Sequence, residues 1–523
     1  MKTYFITNQQ SLFTPVGYSF CSVDKCLDYL KQLSIIGFDS ETRGFDPYTK
    51  ELLTIQLGDD KKQFVIDCNT VNVQLFKPII EEKVMIMQNA KFDLQFLYHC
   101  KIVPKKIFDT FLAERILTAG IPTARRALDH LVWKYCKQTM DKSVRGNIHR
   151  EGLSTRVIKY AGDDVKYLHE IRRKQLVKIE ELGLNRAVSL DNEYVRVLAY
   201  IEYCGVKLDR NKWKQKCLQD KQCLEEKAKA LDAFILENPE EFSHLIDNQM
   251  DLFSDEPKTL INWNSSKQVV PFMVTLGIDT KVRDKSSGEM KDSIDKKVLS
   301  SQKDKHPVVS MYIDYSEAQK VVSTYGESWF DYINPVTKRI HTNYTQIMNT
   351  GRLSSGQKGV KKRGIPQKPN MQNVPSEDRT RSCFTAEPGS TLIVADYSGQ
   401  EQVVLANKCL EPNLLEFYSS GVNDMHSFMA KKIFSKELEN VAIEDVKKAR
   451  PDLRQFAKAA GFAINYGGVG LTIAQNLGIS IEKGEEVYKA YFKAFPGLES
   501  YFKKQRTKAV KDGYITFNNM TGR

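Results

Sequence analysis

Two cations and two aromatic rings recur at four-residue intervals in the sequence RQFAKAAGFAINYGG, as Arg454, Lys458, Phe462 and Tyr466. Each four-residue step along an α-helix rotates a position by only about 40°, so the four side chains would share one broad face. Two cations followed by two rings match a triphosphate followed by a sugar and a base. The alternative is an amphipathic surface helix whose basic side chains extend into solvent. Gly461 within this helix indicates close approach by another element, because glycine otherwise only destabilises a helix.

Paired carboxylates follow an apolar run in the first third of the chain. In LSIIGFDSETRGFDP, a strand is predicted for Ile35 to Phe38, and it runs into Asp39 and Glu41. Residues i and i+2 of an extended chain point to one face, so both carboxylates could bind the same metal ions. Acidic pairs at strand ends also occur in proteins without a metal, so this pair alone does not define a site.

Two more carboxylates and a tyrosine follow in later segments. In VMIMQNAKFDLQFLYHC, an apolar strand from Val84 to Met87 precedes a polar turn and a helix that carries Asp93 near its start. In VIKYAGDDVKYLHEI, a helical pattern places Tyr160 and Asp164 on one face, with Asp163 expected in solvent. The sequence therefore predicts four carboxylates and one tyrosine along an α/β region.

Four carboxylates in one pocket repel one another strongly unless divalent cations compensate their charge. Mg²⁺ or Mn²⁺ takes oxygen ligands, and two such ions can stabilise the attacking and the leaving oxygen of a phosphodiester. Tyr160 would then orient the attacking water. The order and spacing resemble the tyrosine subtype of the DEDD 3′–5′ exonucleases, which have a ribonuclease H-like fold. The resemblance covers about residues 30 to 180 and implies that Asn89 contacts the substrate.

Segments in the second half resemble family A DNA polymerases, the group of bacterial DNA polymerase I and many phage replicases. The similar segments are IEYCGVKLD, NWNSSKQ, HTNYTQIMNTGRLSS and PNMQNVP. The resemblance implies that Arg352, Gln372 and Asn373 contact primer-template DNA. Between the last two of these segments lies QKGVKKRGIPQK, a loop without an acidic residue. Its cations either remain solvated or contact DNA phosphates, and the second interpretation is favoured for Lys361, Lys362 and Arg363.

The stretch TLIVADYSGQEQVVLA resembles the first catalytic motif of the same family. We expect Leu392 to Val394 to form a strand that delivers Asp396 to its end, and a helix to begin near Glu401. The resemblance implies that Asp396 binds both metal ions of a second two-ion centre. It also implies that Glu401 excludes a 2′-hydroxyl and so selects deoxynucleotides. Val403 stands where the family usually has arginine.

The fingers helix of this family has the pattern of cations and rings described first, and it gives each member a role. Arg454 and Lys458 would hold the triphosphate, and Lys458 would also protonate the departing pyrophosphate. Phe462 would pack on the incoming sugar and base, Tyr466 would guard the templating base, and Gly467 would contact the substrate. In NDMHSFMA, His426 is either a second triphosphate contact or an ordinary surface histidine.

One family motif is absent from the sequence. Family A polymerases carry a second catalytic carboxylate in a His-Asp-Glu hairpin after the fingers, whereas no histidine here is followed by aspartate and the sequence stops at Arg523. We expect a gene split with the missing palm strands on a second chain, a truncated sequence, or a domain that only binds DNA. The corresponding hypothesis is that this chain degrades 3′ ends but does not extend a primer at a useful rate.

The predicted fold is therefore mixed: a ribonuclease H-like α/β exonuclease domain over residues 1–185, followed by a right-hand polymerase domain over 186–523. Within the latter we expect a thumb at about 196–340, a partial palm at about 341–405 and fingers at about 406–523. The chain has 77 basic and 65 acidic residues, which favours a polyanionic partner. Its ten cysteines include no CxxC pair, which disfavours a zinc site and favours reduced thiols in an intracellular, cytoplasmic setting.

The function predicted from all motifs is a proofreading DNA polymerase that uses dNTPs, with phage replicases the better match because no 5′ nuclease region precedes the exonuclease. Three alternatives are a stand-alone 3′–5′ exonuclease with a DNA-binding C-terminal half, an RNA-trimming exonuclease, and a non-catalytic DNA-binding remnant. Asp396 and Lys458 disfavour the RNA trimmer, because such an enzyme has no use for a triphosphate site. The four N-terminal carboxylates disfavour the remnant.

Overall fold

The computed structural model describes residues 2–9, 17–141, 152–247, 258–284, 287–360, 365–397 and 399–516. The chain divides into two compact units. The first comprises Met1–Lys214, Glu327–Leu392 and Thr516–Arg523, and the second comprises Gln215–Gly326 and Ile393–Ile515. Among the described helices, none is long and apolar enough to cross a membrane.

A seven-stranded sheet forms the centre of the first unit. Its strands are β1 (Lys2–Ile6), β2 (Ser19–Phe20), β3 (Ile35–Thr42), β4 (Leu52–Gly58), β5 (Lys62–Asp67), β6 (Val84–Met87) and β7 (Lys106–Asp109). Their spatial order is β2-β1-β5-β4-β3-β6-β7. The β3–β4 and β4–β5 pairs are antiparallel, and the other neighbours are parallel. The predicted strands at Ile35 and Val84 are thus present, and β3 continues through the acidic pair.

The described residues form eight α-helices that accompany this sheet: α1 (Val23–Lys31), α2 (Lys77–Glu82), α3 (Lys91–His99), α4 (Thr110–Leu117), α5 (Leu128–Leu131), α6 (Thr155–Lys166), α7 (Leu168–Glu181) and α8 (Asn185–Cys204). Ile36 and Phe38 of β3 point to one face of the sheet and are fully buried in the main core. The core continues beyond residue 185, because Val195 and Ala199 of α8 and the distant Ile347 belong to it.

The rest of the first unit contains, among its described residues, short strands and one short α-helix. They are β8 (Val206–Leu208), β13 (Arg339–Ile340), β14 (Tyr344–Thr345), β15 (Ser354–Ser355), α14 (Asp378–Arg381) and β16 (Phe384–Thr385). Strand β8 lies between β13 and β16, and β14 pairs with β15. Beside this small sheet the rings of Trp213 and Trp329 stack with their centroids 4.9 Å apart.

The second unit contains two groups of helices, each with its own core. The first group, with four short strands, is α9 (Arg210–Leu236), α10 (Pro239–Phe242), β9 (Ile246–Asp247), β10 (Lys258–Thr259), α11 (Ser266–Thr275), β11 (Lys281–Arg283), β12 (Met290–Asp292), α12 (Lys296–Leu299) and α13 (Pro307–Thr324). The second is α15 (Gln400–Cys409), α16 (Pro412–Ser419), α17 (Met425–Ile433), α18 (Val446–Ala449), α19 (Pro451–Asn465), α20 (Gly470–Leu477), α21 (Ile481–Ala494) and α22 (Pro496–Asp512).

The strand expected at Leu392 to Val394 is wrong. Residues 391–397 have no regular secondary structure, and the side chains of Ile393 and Val394 are each 89% exposed. An apolar run becomes a strand only where a neighbouring strand supplies hydrogen bonds and a surface to pack against. In the described part of the chain no strand pairs with this stretch. Asp396 therefore lies on an exposed, irregular segment.

Candidate functional site

Strand β3 and helix α6 bring the acidic residues together. Gly37, Asp39 and Glu41 alternate along β3 and so point to one face of the sheet. A Cβ atom on Gly37 would lie 3.2 Å from the carbonyl oxygen of Val165 and 3.3 Å from that of Gly58. The glycine thus allows α6, which carries Tyr160 and Asp164, to pack closely against the strand with the acidic pair.

Three carboxylates form a group at this contact. Asp39, Glu41 and Asp164 each offer an oxygen atom, and these oxygens all lie within 4.8 Å of one another. Two oxygens bound to one ion of the size of Mg²⁺ are separated by at most about 4.2 Å, so the spacing is close to that of a divalent site. The all-oxygen donor set also fits a hard divalent cation. Tyr160 lies one helical turn before Asp164 and is 7% exposed.

Asp93, the fourth predicted carboxylate, is not a member of this group. It is 3% exposed, and the hydroxyl of Ser40, which lies between Asp39 and Glu41 in β3, donates a hydrogen bond to its Oδ1 over 2.5 Å. Burial raises the pKa of Asp93 to about 7, although the Ser40 bond acts in the opposite direction. Asp93 is thus linked to the acidic strand through Ser40, and its role as a direct metal ligand stays a prediction. Asp163 forms a surface pair with Lys166 at 3.3 Å.

Asp109 is a buried carboxylate that the sequence analysis missed. Its two oxygens accept the backbone N–H groups of Asn89 at 3.0 Å and Ala90 at 2.9 Å, and it also caps α4. Asn89 has a φ of 62°, a conformation that costs free energy in residues other than glycine. Burial raises the pKa of Asp109 to about 6. Asp109 therefore fixes the turn that precedes Asp93, and an aspartate between an apolar strand and an apolar helix is the sequence signal for such a cap.

The segment around Tyr344, which belongs to HTNYTQIMNTGRLSS, is anchored in the exonuclease-like fold. Lys91 at the start of α3 contacts Oε1 of Glu202 at 2.6 Å and Oδ1 of Asn343 at 2.9 Å. The side chain of Glu202 is completely buried, and it also accepts the backbone N–H of Tyr344. We call this set of contacts the Lys91–Glu202 junction.

Ile347 reinforces the same attachment. Its side chain belongs to the main core of the first unit, and its φ is 57°. Arg115 of α4 donates from Nε to the carbonyl oxygen of Ile347 over 2.8 Å, and Gln346 donates to Oδ1 of Asp191 over 3.1 Å. The polar and apolar contacts together hold residues 343–347 against α3, α4 and α8.

The predicted DNA-contacting residues are in part exposed and in part outside the described residues. Arg352, Gln372 and Asn373 are all exposed. Lys361, Lys362 and Arg363 lie outside the described residues, so the prediction for them is not tested. The flanks of this loop pair through the backbones of Gln357 and Lys368. Lys368 is partly buried, and burial lowers its pKa.

Helix α19 carries the cation and ring stripe with the orientation that the sequence predicts. Its buried face includes Ala457, Ala460 and Ile464, whereas Phe462 is 48% and Tyr466 63% exposed. A Cβ atom on Gly461 would lie 2.9 Å from the Cε atom of Met429 in α17. The close approach inferred from this glycine is therefore present. Exposed rings beside two cations on a well-packed helix form a face that can bind a ligand.

The two cations of α19 have different environments. Arg454 donates from Nε and Nη2 to the two carboxylate oxygens of Asp424 at 2.9 and 3.0 Å. Although burial opposes it, these bonds and those from Ser427 hold the pKa of Asp424 well below its usual range. Lys458 is half-buried and has no ion pair among the residues that the structure describes. Arg454 is thus partly neutralised, and Lys458 is the cation with its charge uncompensated.

The remaining predicted residues lie on α15 and α17. The His426 ring is 6.0 Å from that of Phe462, and burial together with Arg454 and Lys458 lowers the pKa of His426. Its Nδ1 atom is buried without a partner in the described part of the chain. The hydroxyl of Tyr466 donates to the carboxylate of Glu401. The predicted sugar-selecting residue and the predicted base-contacting residue are therefore in direct contact, and Gly467 next to Tyr466 has a φ of 79°.

Comparisons with known proteins match both parts of the chain. Residues 234–523 match the family model "DNA polymerase family A", and residues 22–180 match the model "3′-5′ exonuclease". The chain is 27% identical over 515 residues to DNA polymerase I of Borreliella burgdorferi, a match covering 94% of this chain and 51% of that protein. It is 26% identical to DNA polymerase I of Aquifex aeolicus, covering 95% of this chain and 81% of the relative.

A shorter match joins the chain to the thermostable DNA polymerase I of Thermus aquaticus, with 30% identity over 61% of this chain and 34% of that protein. The chain thus spans about half the length, or less, of several relatives. Among solved structures, the POL domain of Pol1 from M. smegmatis, in complex with DNA primer-template and dNTP, aligns with a TM-score of 0.72. That alignment has 21% identity and covers 98% of this chain and 80% of the other, and at this identity it establishes the fold.

Proposed function

Because the chain belongs to DNA polymerase family A, we propose that it removes nucleotides from DNA 3′ ends in its first unit. We further propose that it binds primer-template DNA and a deoxynucleoside triphosphate through its polymerase-like regions. The observation that carries the first part is the group of Asp39, Glu41 and Asp164, whose oxygens lie within 4.8 Å of one another. Each of the three is held by a strand or a helix rather than by a loop, so the group exists before substrate binds.

The proposed hydrolysis uses Mg²⁺ or Mn²⁺, held by Asp39, Glu41 and Asp164. Bound divalent ions supply a nucleophilic water at neutral pH and stabilise charge on the phosphodiester oxygens. The Tyr160 hydroxyl positions the attacking water, and Asn89 contacts the substrate strand from the turn that Asp109 holds. Ser40 keeps Asp93 next to the acidic strand. These residues orient the scissile phosphate and exclude unproductive arrangements.

The proposed nucleotide site lies on the exposed face of α19. Lys458 and Arg454 bind the triphosphate, because charge-assisted contacts to phosphate are the strongest that a surface can offer. Phe462 and Tyr466 contact the sugar and base, and Glu401, held by Tyr466, disfavours a 2′-hydroxyl. Asp396 serves as a metal ligand for primer extension. Two-ion transfer needs carboxylates on both sides of the ions, so Asp396 would act together with a further carboxylate.

A stand-alone exonuclease with a C-terminal half that binds DNA without extending it is the second candidate. The exposed, irregular position of Asp396 favours it, because a metal ligand on such a segment is not held in a fixed geometry. The two candidates share the exonuclease centre and differ only at the polymerase centre.

One assay separates them. The purified chain is incubated with a 3′-recessed primer on a template, Mn²⁺ and, in parallel, with or without the four dNTPs. We expect loss of 3′ nucleotides when the dNTPs are omitted. With dNTPs present, extension of the primer supports the polymerase, whereas digestion without extension supports the second candidate. Absence of digestion with every divalent ion would contradict the exonuclease.

A further inference from the structure

A cleft with four cations lies at the β7 edge of the sheet, away from the acidic group. It has a volume of about 340 Å³ and is formed by β6, β7, α7 and α8. Its cationic residues are Lys105, Lys106, Arg172 and Arg196, and the acidic residue in its wall is Glu193. The Glu193 carboxylate accepts a hydrogen bond from Ser189 over 3.3 Å and forms no ion pair with either arginine in the described part of the chain. The cleft therefore carries an uncompensated positive charge.

Arg172 of α7 is the most unusual member of the cleft. Its guanidinium lies 5.3 Å from the centroid of the Phe108 ring, and it makes no hydrogen bond or ion pair among the described residues. Its Nε atom is buried and has no hydrogen-bond partner in the part of the chain that the structure describes. Burial lowers the pKa of Arg172 below the usual value for arginine. A desolvated guanidinium with unused donors is costly, and nearly all such groups in folded proteins are paired.

Arg196 of α8 repeats the same feature across the cleft. It donates from Nη1 to the carbonyl oxygen of Lys105 over 2.8 Å, but its Nε atom is also buried and has no partner among the described residues. Two guanidinium groups with unused N–H donors in one concave site form a receptor for an oxyanion, because their planar forks match the oxygens of phosphate. The two lysines at the rim add charge that favours a dianion over a monoanion.

We infer that this cleft binds a phosphate dianion, either free or as the monophosphate of a nucleotide, between Arg172 and Arg196. Apolar side chains from β6, α7 and α8, among them Val84, Leu176 and Val188, also line the cleft and can contact an organic group attached to the phosphate. The volume lies at the lower end of the roughly 300–1,000 Å³ that is usual for small-molecule sites, so it suits a ligand no larger than a mononucleotide. Binding of phosphate itself does not depend on the function proposed above.

Calorimetric titration of the full chain with inorganic phosphate, in EDTA and at low ionic strength, tests the site. EDTA removes divalent ions, so ligands cannot bind through the acidic group. We expect saturable binding that weakens at least about tenfold in Arg172→Gln, because a charge-assisted contact is lost. Arg186→Gln is the matched control, since Arg186 is an exposed arginine on α8 outside the cleft, and we expect no change.

Equal binding by Arg172→Gln and the unmodified chain, or no binding by the unmodified chain, would each overturn the proposal. A second measurement uses the unmodified chain, so the proposal can still be tested if Arg172→Gln does not fold. Phenylglyoxal modifies accessible guanidinium groups, and phosphate should slow the modification of Arg172 at least about tenfold, as mapped by mass spectrometry. Arg186 should be modified at the same rate with and without phosphate, and an unprotected Arg172 would refute the site.

Titration with thymidine 5′-monophosphate and with thymidine distinguishes the two sources of phosphate. Tighter binding of the monophosphate than of inorganic phosphate, with no binding of thymidine, supports a nucleotide ligand. Equal binding of the monophosphate and inorganic phosphate supports recognition of the phosphate alone. Binding of thymidine that matches the monophosphate would contradict the role of the arginines.

Discussion

The two predicted metal centres differ in what holds their carboxylates. Asp39 and Glu41 lie on β3, which pairs with β4 on one side and β6 on the other, and Asp164 lies on a helix packed against that strand. Asp396 instead lies on an exposed segment without regular structure. The exonuclease centre is thus assembled by the fold. In the polymerase-like region, the cation and ring face of α19 is held by a well-packed helix.

The difference shows that a functional group on a helix and one on a strand need different structural support. A helix face needs only its own hydrogen bonds and one packed side, and α19 has both. A carboxylate at a strand end needs neighbouring strands before its position is fixed. A site on a helix face can therefore form without neighbouring strands, whereas a site at a strand end cannot.

The largest expected effect follows from removing the acidic pair. Asp39→Ala combined with Glu41→Ala should lower the rate of 3′ digestion by at least about 10³-fold, since the ions then lose two of three grouped ligands. The rate is measured on a 3′-labelled oligonucleotide, and DNA binding by the same protein should change little. Asp163→Ala is the control, because Asp163 neighbours Asp164 but pairs with Lys166 on the surface. Persistent digestion by the double variant would remove the proposed centre.

The Lys91–Glu202 junction provides a stability test of the fixed region. Glu202→Ala leaves the Lys91 ammonium, which is only 14% exposed, without its carboxylate. Removing one partner of a buried pair costs about 3–5 kcal/mol. The free energy of unfolding of the first unit, measured by urea denaturation, should therefore fall by that amount.

Glu317→Ala is the matched control for this change. Glu317 pairs with Lys296 in the second unit, and both side chains are more than half exposed. Exposed pairs contribute little, so we expect almost no shift. Similar shifts for the two variants would show that the junction is not the anchor inferred here.

Lys458→Ala tests the helical face of the polymerase-like region. Lys458 is the cation of α19 without a described ion pair, so its loss should weaken dNTP binding by about 1.5–3 kcal/mol, or roughly 10- to 100-fold. Binding is measured by fluorescence titration in the presence of primer-template DNA. Lys489→Ala, on α21, is a control in which we expect no change. If dNTP binding is unaltered by Lys458→Ala, the face of α19 does not hold the triphosphate.

The smallest expected effect concerns the pH dependence of metal binding. The Asp93 carboxyl has a pKa raised to about 7 by burial, so it is largely protonated at lower pH in the metal-free protein. If ion binding requires the carboxylate, the apparent affinity for Mn²⁺ should fall by up to about tenfold per pH unit below 7 and level off above it. Calorimetric titrations with Mn²⁺ between about pH 5.5 and 8 measure this trend.

Asp93→Asn is the comparison for the pH series. It cannot ionise at this position, so its Mn²⁺ affinity should be weaker and nearly flat over the same range. A parallel decline in the variant and the unmodified chain would assign the pH dependence to another group.

Local sequence patterns were sufficient to predict much of the fold and of the candidate site. The strands at Ile35 and Val84 and the helices that carry Asp93, Asp164 and Lys458 follow from apolar periodicity, which short segments contain in full. The strand at Leu392 was wrong because its formation depends on a neighbour, which the local sequence does not specify. The pairing of Arg454 with Asp424 could not be predicted either, since the partners are 30 residues apart.

The buried contacts missed from the sequence share one property. Asp109 acts on Asn89 across 20 residues, and Ser40 acts on Asp93 across 53. Such contacts depend on which elements become neighbours in space, and residue spacing along the chain carries no information about this. Residue type alone indicated only that Asp109 could begin a helix.

The attachment of residues 343–347 has a consequence for protein engineering. A fragment that ends at residue 185 would lack Asn192, whose Oδ1 accepts the N–H of Asp109 over 2.7 Å, and would also lack Glu202 and Ile347. Lys91, which lies two positions before Asp93, would lose its counter-ion. The apolar core residues that contact Ile347 would be exposed to water. A chimaera that exchanges the nuclease part between relatives should therefore carry α8 and the Tyr344 segment with it.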